Sequence, residues 1–414
     1  MINEILESKI ILRKAYLDEI SDYFDSPVIK VITGMRRVGK SYILQKIIQK
    51  LFKGKYIEKG NIFYINKESL KFDFIIDYKD LQKEFELFLN KANLNKKIFI
   101  GIDEIQDIKG WEKFINSVLL EYGNNSEIFI TGSNSNLLSS ELATLLTGRY
   151  IEFEIFPLSF SEYLLFGKKE NLKSTFIDYL KYGGLPGIFN MKEDEKVIFN
   201  YLSSIYSTIL LKDIVRSFGL RNIDFFESLY KYIFSNIGHI FSAKKISDYL
   251  KSQRVKISTE TVLNYLGYGL KVFLLDLVKA EDPITKRYFE IYNKYYVGDL
   301  GIRNSLVGFN FGRDIGNLLE NYVYLELKRK RYEIKIGRLK SGKEIDFIAT
   351  KNGITKYFQV CYLLGSEDTI KREYGSLKEV SDNWEKYVVS FDDIDFGISE
   401  GIKHINIMDL EKHL

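Results

Sequence analysis

The sequence predicts an α/β protein: a domain on a parallel sheet, then a helical stretch, a helix–turn–helix with a hairpin, and a smaller second α/β domain. Three observations lead there. The apolar run Val28 to Gly34 enters a glycine loop and is followed at once by a helical period. Apolar runs then alternate with amphipathic stretches as far as residue 131, the pattern of strands joined by crossover helices in a mostly parallel sheet. After Gly301, a helical stretch gives way to three strand-like runs.

Taken in order, Pro27 precedes the first strand, and Gly39 to Phe52 reads as a helix with Ile43, Leu44, Ile47 and Ile48 on one face. Further strands are expected at 61–65, 97–102 and 127–131, with a helix from Trp111 to Tyr122. This region closes at FEIFPLSFSEYLLFG, where Pro157 ends a strand and Ser159 or Ser161 can cap a helix. Residues 166–239 are helical and aromatic, broken by Gly183-Gly184-Leu185-Pro186-Gly187. Two short helices with serine starts, Ser242 and Ser258, then flank a basic turn. Two strand-like runs follow around Glu281-Asp282-Pro283, giving the outline of a winged helix. A helix through Leu318 to Lys330 and the strands EIKIGR, EIDFIAT and TKYFQVCYLL complete the chain. The expected domains are 1–165, 166–238, 239–300 and 301–414.

Composition narrows the class. The 414 residues are 45% hydrophobic and 15% aromatic, which excludes collagen-like and disordered chains. The single cysteine, Cys361, excludes an internal disulfide framework and suits a cytoplasmic location. No apolar run reaches the roughly 18 residues of a membrane span, and Glu4 and Glu7 interrupt any signal-like start. His239, His404 and His413 are too scattered to suggest a metal site or a triad.

Gly34-Met35-Arg36-Arg37-Val38-Gly39-Lys40-Ser41 fits G-x-x-x-x-G-K-[ST]. Such a loop wraps phosphates with backbone N–H groups, and the helix that follows, opening through Tyr42, adds its positive dipole end. Lys40 can reach the β and γ phosphates, and the Ser41 hydroxyl can ligate Mg²⁺. The run IFIGIDEIQD puts Asp103 and Glu104 at a strand's C-terminal end, where α/β sheets face their ligands. An Asp there can hold the Mg²⁺ shell, and the adjacent Glu can polarise water against the γ-phosphate. Ser133 and Asn134 end another apolar strand and can contact that phosphate or position the water. Their alternative role is helix capping. Arg149, in Leu146-Thr147-Gly148-Arg149, can stabilise charge on the transferring phosphoryl group in cis or from a neighbouring subunit.

GMRRVGKS, IDEIQD, TGSNSNLL, LTGR, PLSFSEYL and GGLP occur in that order. The series resembles the prokaryotic P-loop ATPases of the AAA+/STAND group, which carry a C-terminal domain of uncharacterised function. The resemblance spans nearly the whole chain. It implies ATP as nucleotide and Mg²⁺ as cofactor, with Lys40 and Ser41 on phosphate and metal, and Asp103 and Glu104 as the metal and water residues.

The near-neutral total, 60 basic against 56 acidic residues, conceals two basic stretches. Residues 241–260 hold Lys244, Lys245, Lys251, Arg254 and Lys256 against two acidic residues, with Thr259, Asn264 and Tyr265 available to DNA. Residues 321–340 hold Lys328, Arg329, Lys330, Arg331, Lys335, Arg338 and Lys340 against two acidic residues. DNA is therefore a candidate partner through 241–260 and 321–340; the alternative is a winged helix used as a packing module, its charges simply solvated. Glu320, Asp346 and the strand YFQVCY resemble the restriction-endonuclease-like fold, but Gln359-Val360-Cys361 stands where active members of that fold carry Glu-x-Lys. Gln is a weaker metal ligand and Cys supplies no cation, so a nuclease-like scaffold without efficient cleavage is expected. Cys361 on its apolar strand reads as a buried small hydrophobe. The sequence thus points to a Mg²⁺-dependent ATPase coupled to its C-terminal half. The rivals are a nucleotide-regulated DNA-binding switch and an active metal-dependent nuclease.

Overall fold

The computed structural model describes residues 1–138, 148–220, 222–240, 242–252, 257–286 and 288–414. It divides into two compact units, Met1–Phe156 with Lys271–Phe273, and the remainder.

The first unit is built on five parallel strands: β1 (Ile29–Thr33), β2 (Ile62–Asn66), β3 (Ile98–Asp103), β4 (Ser126–Thr131) and β5 (Tyr150–Glu154), in the order β2-β3-β4-β1-β5. β1, β3 and β4 are buried along their whole length, which is why they read as continuous apolar runs rather than alternating ones. The helices are α1 (Ile2–Glu7), α2 (Lys14–Ser21), α3 (Lys40–Lys53), α4 (Tyr78–Leu89) and α5 (Trp111–Tyr122). α3 buries Ile43, Leu44, Ile47 and Ile48, the face its period specifies. Lys30, the one charged residue inside β1, is answered by Glu127 on β4 at 2.7 Å. Burying that ammonium unpaired would cost several kcal/mol.

The second unit begins at Pro157, so the helix Phe160–Gly167, expected within the first domain, belongs here. Ser159 caps it in a capping box with Glu162, whereas Ser161 donates to Glu411. The GGLP segment is a packing joint. At Gly183, φ is +72°, and a Cβ would lie 2.5 Å from both the Asp299 carboxylate and the Gly301 nitrogen. The Gly184 N–H donates to Asp299 Oδ2 at 2.8 Å while Oδ1 caps the helix Leu300–Val307. Only glycine lets the two segments approach this closely.

Eight strands form the second sheet: β6 (Leu275–Glu281), β7 (Tyr288–Val297), β8 (Glu333–Arg338), β9 (Glu344–Lys351), β10 (Ile354–Val360), β11 (Glu385–Ser390), β12 (Ile398–Ser399) and β13 (Ile402–Asn406), in the order β12-β13-β11-β10-β9-β8-β6-β7. The helices Ala243–Ser252 and Thr259–Lys271 precede the β6–β7 hairpin, with Ser242 and Ser258 accepting first-turn N–H groups. The hairpin is not a free wing. β6 pairs in parallel with β8, so the boundary expected at 300/301 falls inside one continuous sheet.

Two further expectations change, and the expected burial of Cys361 is met. Tyr265 is buried against Phe225 and Phe226 and is not available to DNA, because the helix period turns it inward; Asn264 remains exposed and Thr259 is half-buried. The basic run 321–340 is largely engaged internally. Lys328 pairs with Asp276 at 2.7 Å, Arg329 with the buried Glu326 at 2.5 Å and Lys335 with Glu281 at 2.7 Å, and Arg338 covers the Tyr292 ring. It is therefore not an open anion-binding stripe. Cys361 lies one residue past β10, though its N–H still donates to Val389 O. It is buried, and burial with nearby carboxylates pushes its thiol up, away from reactivity. Arg254 and Lys256 lie outside the described residues, as do Leu146 and Thr147; Lys244, Lys245 and Lys251 are exposed.

Candidate nucleotide site

The phosphate loop connects β1 to α3. Its backbone needs glycine at both ends. Gly34 has φ +134° and a Cβ there would sit 2.2 Å from Ile155 O; Gly39 has φ +102°. Between them Met35 and Val38 are buried, Arg37 is exposed with φ +70°, and Arg36 is 5% exposed. Ser41 is the second residue of α3, and Tyr42 is solvent-exposed on its first turn. Arg13, from the N-terminal segment, donates from Nη1 to Val38 O and Phe156 O at 3.2 and 2.9 Å and so braces the loop from behind.

Lys40, 4% exposed, donates from Nζ to Gly34 O (2.9 Å) and Met35 O (3.1 Å) and stands 3.7 Å from Glu104 Oε1. Asp103 is the last residue of β3, fully buried, and hydrogen-bonds the Ser41 hydroxyl. Its Oδ1 also accepts from Thr131 Oγ1 at 2.5 Å and its Oδ2 from the Tyr64 hydroxyl at 3.3 Å. Burial raises the Asp103 pKa against the pull of the Thr131 and Ser41 hydroxyls. Ser41 and Asp103 thus form a hard-oxygen pair beside the loop, a donor set suited to Mg²⁺.

Glu104 adopts the left-handed conformation, φ 56° and ψ 52°. Such a backbone in a non-glycine residue persists where its surroundings hold it. Its N–H donates to Thr131 Oγ1 at 3.0 Å, and its carboxylate accepts from Gln106 Nε2 (2.5 Å) and Ser133 Oγ (3.0 Å). Burial alone would push the Glu104 pKa up. The charges of Lys40 and Arg36 and the Gln106 and Ser133 hydrogen bonds outweigh it, so the carboxyl is held below its ordinary value.

The structure therefore brings together Lys40, Ser41, Asp103, Glu104 and Ser133; Asn134 follows, 8% exposed, with its carbonyl accepting from Leu137. Arg149 is not brought to them. It precedes β5 and its carbonyl accepts from Ile29, at the end of the sheet opposite the phosphate loop, so a finger role in cis is geometrically excluded.

Sequence reasoning passed over Thr131 and Gln106. Thr131 looked like the end of an apolar strand; its one hydroxyl links the Asp103 carboxylate to the Glu104 backbone. Thr131→Val takes the hydroxyl partner from the buried Glu104 N–H and one of several donors from the Asp103 carboxylate, and is expected to cost about 1–3 kcal/mol. Urea denaturation checks this, with Thr131→Ser, which keeps the hydroxyl, close to wild type.

A second polar constellation joins β11 to β13. Ser390 Oγ lies 2.8 Å from His404 Nε2 and donates to Asp392 at 2.7 Å. The Phe396 N–H donates to His404 Nδ1, which places the neutral ring's proton on Nε2, pointing at the serine. That tautomer takes no proton from Ser390, which is fully buried. The group is a structural tie and not a nucleophilic site.

Residues 26–164 match a family model described as an AAA domain, and residues 173–312 match a domain of unknown function, DUF8612. An uncharacterized protein of Haemophilus influenzae is 36% identical over 409 residues, covering 98% of this chain and 99% of that protein. The uncharacterized protein MJ1544 of Methanocaldococcus jannaschii is 31% identical over 442 residues, covering 99% and 94%. Among solved structures, the Walker-type ATPase paby2304 of Pyrococcus abyssi is similar at 16% identity and TM-score 0.47, covering 73% of this chain and 99% of that one. The ORC2 protein of Aeropyrum pernix is similar at 11% identity and TM-score 0.39, covering 77% and 97%.

Proposed function

Because this chain belongs to one family with the Haemophilus influenzae and Methanocaldococcus jannaschii proteins and carries an AAA-type P-loop ATPase domain, we propose that it binds ATP with Mg²⁺ and hydrolyses it. One observation carries this reading. Lys40, Ser41, Asp103 and Glu104 converge at the C-terminal ends of β1 and β3, with Glu104 kept ionised beside Lys40.

In this reading the loop amides and the α3 N-terminus cradle the phosphates, and Lys40 leaves the Gly34 and Met35 carbonyls for the β and γ phosphate oxygens. Ser41 and Asp103 would hold Mg²⁺, which neutralises charge on those oxygens when bound. Glu104, ionised and aimed by Gln106 and Ser133, accepts a hydrogen bond from the attacking water and orients it in line. Ser133 and Asn134 monitor the terminal phosphate. Arg149 acts on phosphate only if a second copy presents it.

Lys40→Ala is expected to abolish ATP binding, because it removes the buried ammonium that stands within the loop, on the Gly34 and Met35 carbonyls, for the β and γ phosphates. Calorimetric titration with Mg·ATP checks it. Binding as tight as wild type would overturn the assignment.

The helix pair before the hairpin supports a secondary reading as a DNA contact, with Lys244, Lys245 and Asn264 exposed. We read the C-terminal sheet as a non-cleaving scaffold within a cytoplasmic protein. Where a nuclease needs a metal, Glu320, Glu344 and Asp346 converge on the Lys294 ammonium. Among the described residues no cluster of His, Cys, Asp and Glu is arranged to hold a metal ion, and no helix is long and apolar enough to cross a membrane.

A further inference from the structure

Arg36 is the second variable residue of the phosphate loop, nearly buried, with Nη1 2.5 Å from Glu68 Oε1. Glu68 lies two residues past β2, and its own N–H donates to the Asn66 side chain. Arg36 also acts electrostatically on Glu104, second only to Lys40 among the charges on that carboxylate. Glu68 follows Lys67, whose N–H donates to Asp103 O at 3.1 Å, so the Arg36–Glu68 pair lies beside the end of β3 that carries Asp103 and Glu104.

A guanidinium removed from solvent requires an anion. Glu68 supplies one carboxylate, itself 38% exposed, whereas a terminal phosphate offers more charge and bidentate geometry. The two anions compete for one cation.

The segment that would respond is compact and unusual. The Lys67 N–H donates to Asp103 O, and Lys67 Nζ folds back onto Phe72 O and Ile75 O at 2.8 and 2.7 Å. Phe72 and Ile75 are buried beneath it, while Leu70, Phe74 and Ile76 are 90%, 55% and 55% exposed. Glu68 joins this apolar-tipped segment to the phosphate loop.

We propose that Glu68 stands in for the terminal phosphate: a nucleoside triphosphate takes Arg36 from Glu68, and a diphosphate does not. This inference rests on the ATP-binding reading and names the part of that site that tells the two nucleotides apart. Release of Glu68 loosens residues 67–77, so the apolar tip changes its presentation with nucleotide state.

Hydrogen exchange on the full chain, read by mass spectrometry alongside calorimetric binding, tests it with Mg·ADP and with a non-hydrolysable Mg·ATP analogue. Exchange in 67–77 rises with the triphosphate analogue and stays at the nucleotide-free level with ADP. Glu68→Gln, which removes the competing charge, binds the analogue about tenfold more tightly. It also shows the raised exchange without nucleotide. Arg36→Ala still binds ADP as wild type does, but loses about tenfold of its preference for the triphosphate and its response in 67–77. Arg36→Lys falls between, since a lysine keeps the charge and loses the bidentate geometry. Analogue binding with unchanged exchange in 67–77, or Arg36→Ala weakening both nucleotides equally, overturns this inference and leaves ATP binding standing. Failure of the wild type to bind either nucleotide overturns both.

Discussion

Replacing Glu104 with glutamine is expected to lower steady-state ATP turnover roughly 100- to 10,000-fold, the usual contribution of a positioned base or water-orienting group. ATP affinity is expected to hold or rise. The argument begins with the donors around the carboxylate. Gln106 Nε2 and Ser133 Oγ both donate to Glu104 Oε2, and Lys40 stands on the other oxygen. A glutamine side chain can satisfy the two donors with its carbonyl oxygen only by turning its NH₂ towards Lys40, so the acceptor that faced the water is lost. The left-handed backbone is untouched, because Thr131 holds it through the N–H. The binding groups Lys40, Ser41 and Asp103 therefore keep their places. Single-turnover hydrolysis beside nucleotide titration separates the two effects. Undiminished turnover in this variant would remove Glu104 from the chemistry.

Lys294→Met is expected to destabilise the second unit by about 3–5 kcal/mol, the cost of leaving buried charge without its counter-ion. Lys294, 4% exposed on its side chain, stands 2.8 Å from Glu320, 2.5 Å from Glu344 and 3.8 Å from Asp346; Tyr296 donates to Glu320 at 2.6 Å. Burial would lower the Lys294 pKa, but the three carboxylates raise it well above the ordinary lysine value. Burial and the Glu320 charge push Asp346 up, and Lys294 offsets part of that. Methionine fills the space without the charge, so the Asp346 pKa rises further above its unfolded value. A carboxyl raised in this sense takes up a proton on folding. The deficit is therefore largest near neutral pH and shrinks as pH falls towards the ordinary carboxylate range of about 4. Of the chain's two tryptophans, Trp111 lies in the first unit and Trp384 in the second. Urea melts of a Trp111→Phe background thus report the second unit alone. A deficit below about 1 kcal/mol at neutral pH would place the ion cluster among ordinary surface pairs.

The legible part of this protein is the part governed by short-range rules. A buried parallel strand must be apolar throughout, and a phosphate loop must place glycine where φ is positive. β1, Gly34, Gly39 and the helix behind them could therefore be read directly. Asp103 and Glu104 were legible because a strand's C-terminal end is where the site of such a sheet lies. What escaped depends on which chain segments meet. Thr131 gains its role from lying beside β3, and Arg149 loses its role because β5 runs parallel to β1 and starts at the far end. The basic run 321–340 looked free because its acidic partners, Asp276 and Glu281, lie on a strand some fifty residues earlier in the chain. Lys294 could not be paired with Glu320, Glu344 and Asp346 from spacing, since they meet only where the helix Phe311–Arg329 packs on the folded sheet.

The strand order of that sheet has a hereditary consequence. β6 is hydrogen-bonded to β7 on one side and to β8 on the other, while the polypeptide between the hairpin and β8 is helical. A gene break after residue 300 would strip β6 of a neighbour, bare a strand edge prone to pairing with other chains, and separate Lys294 from all three of its carboxylates. By this pairing the hairpin and the C-terminal strands are inherited together.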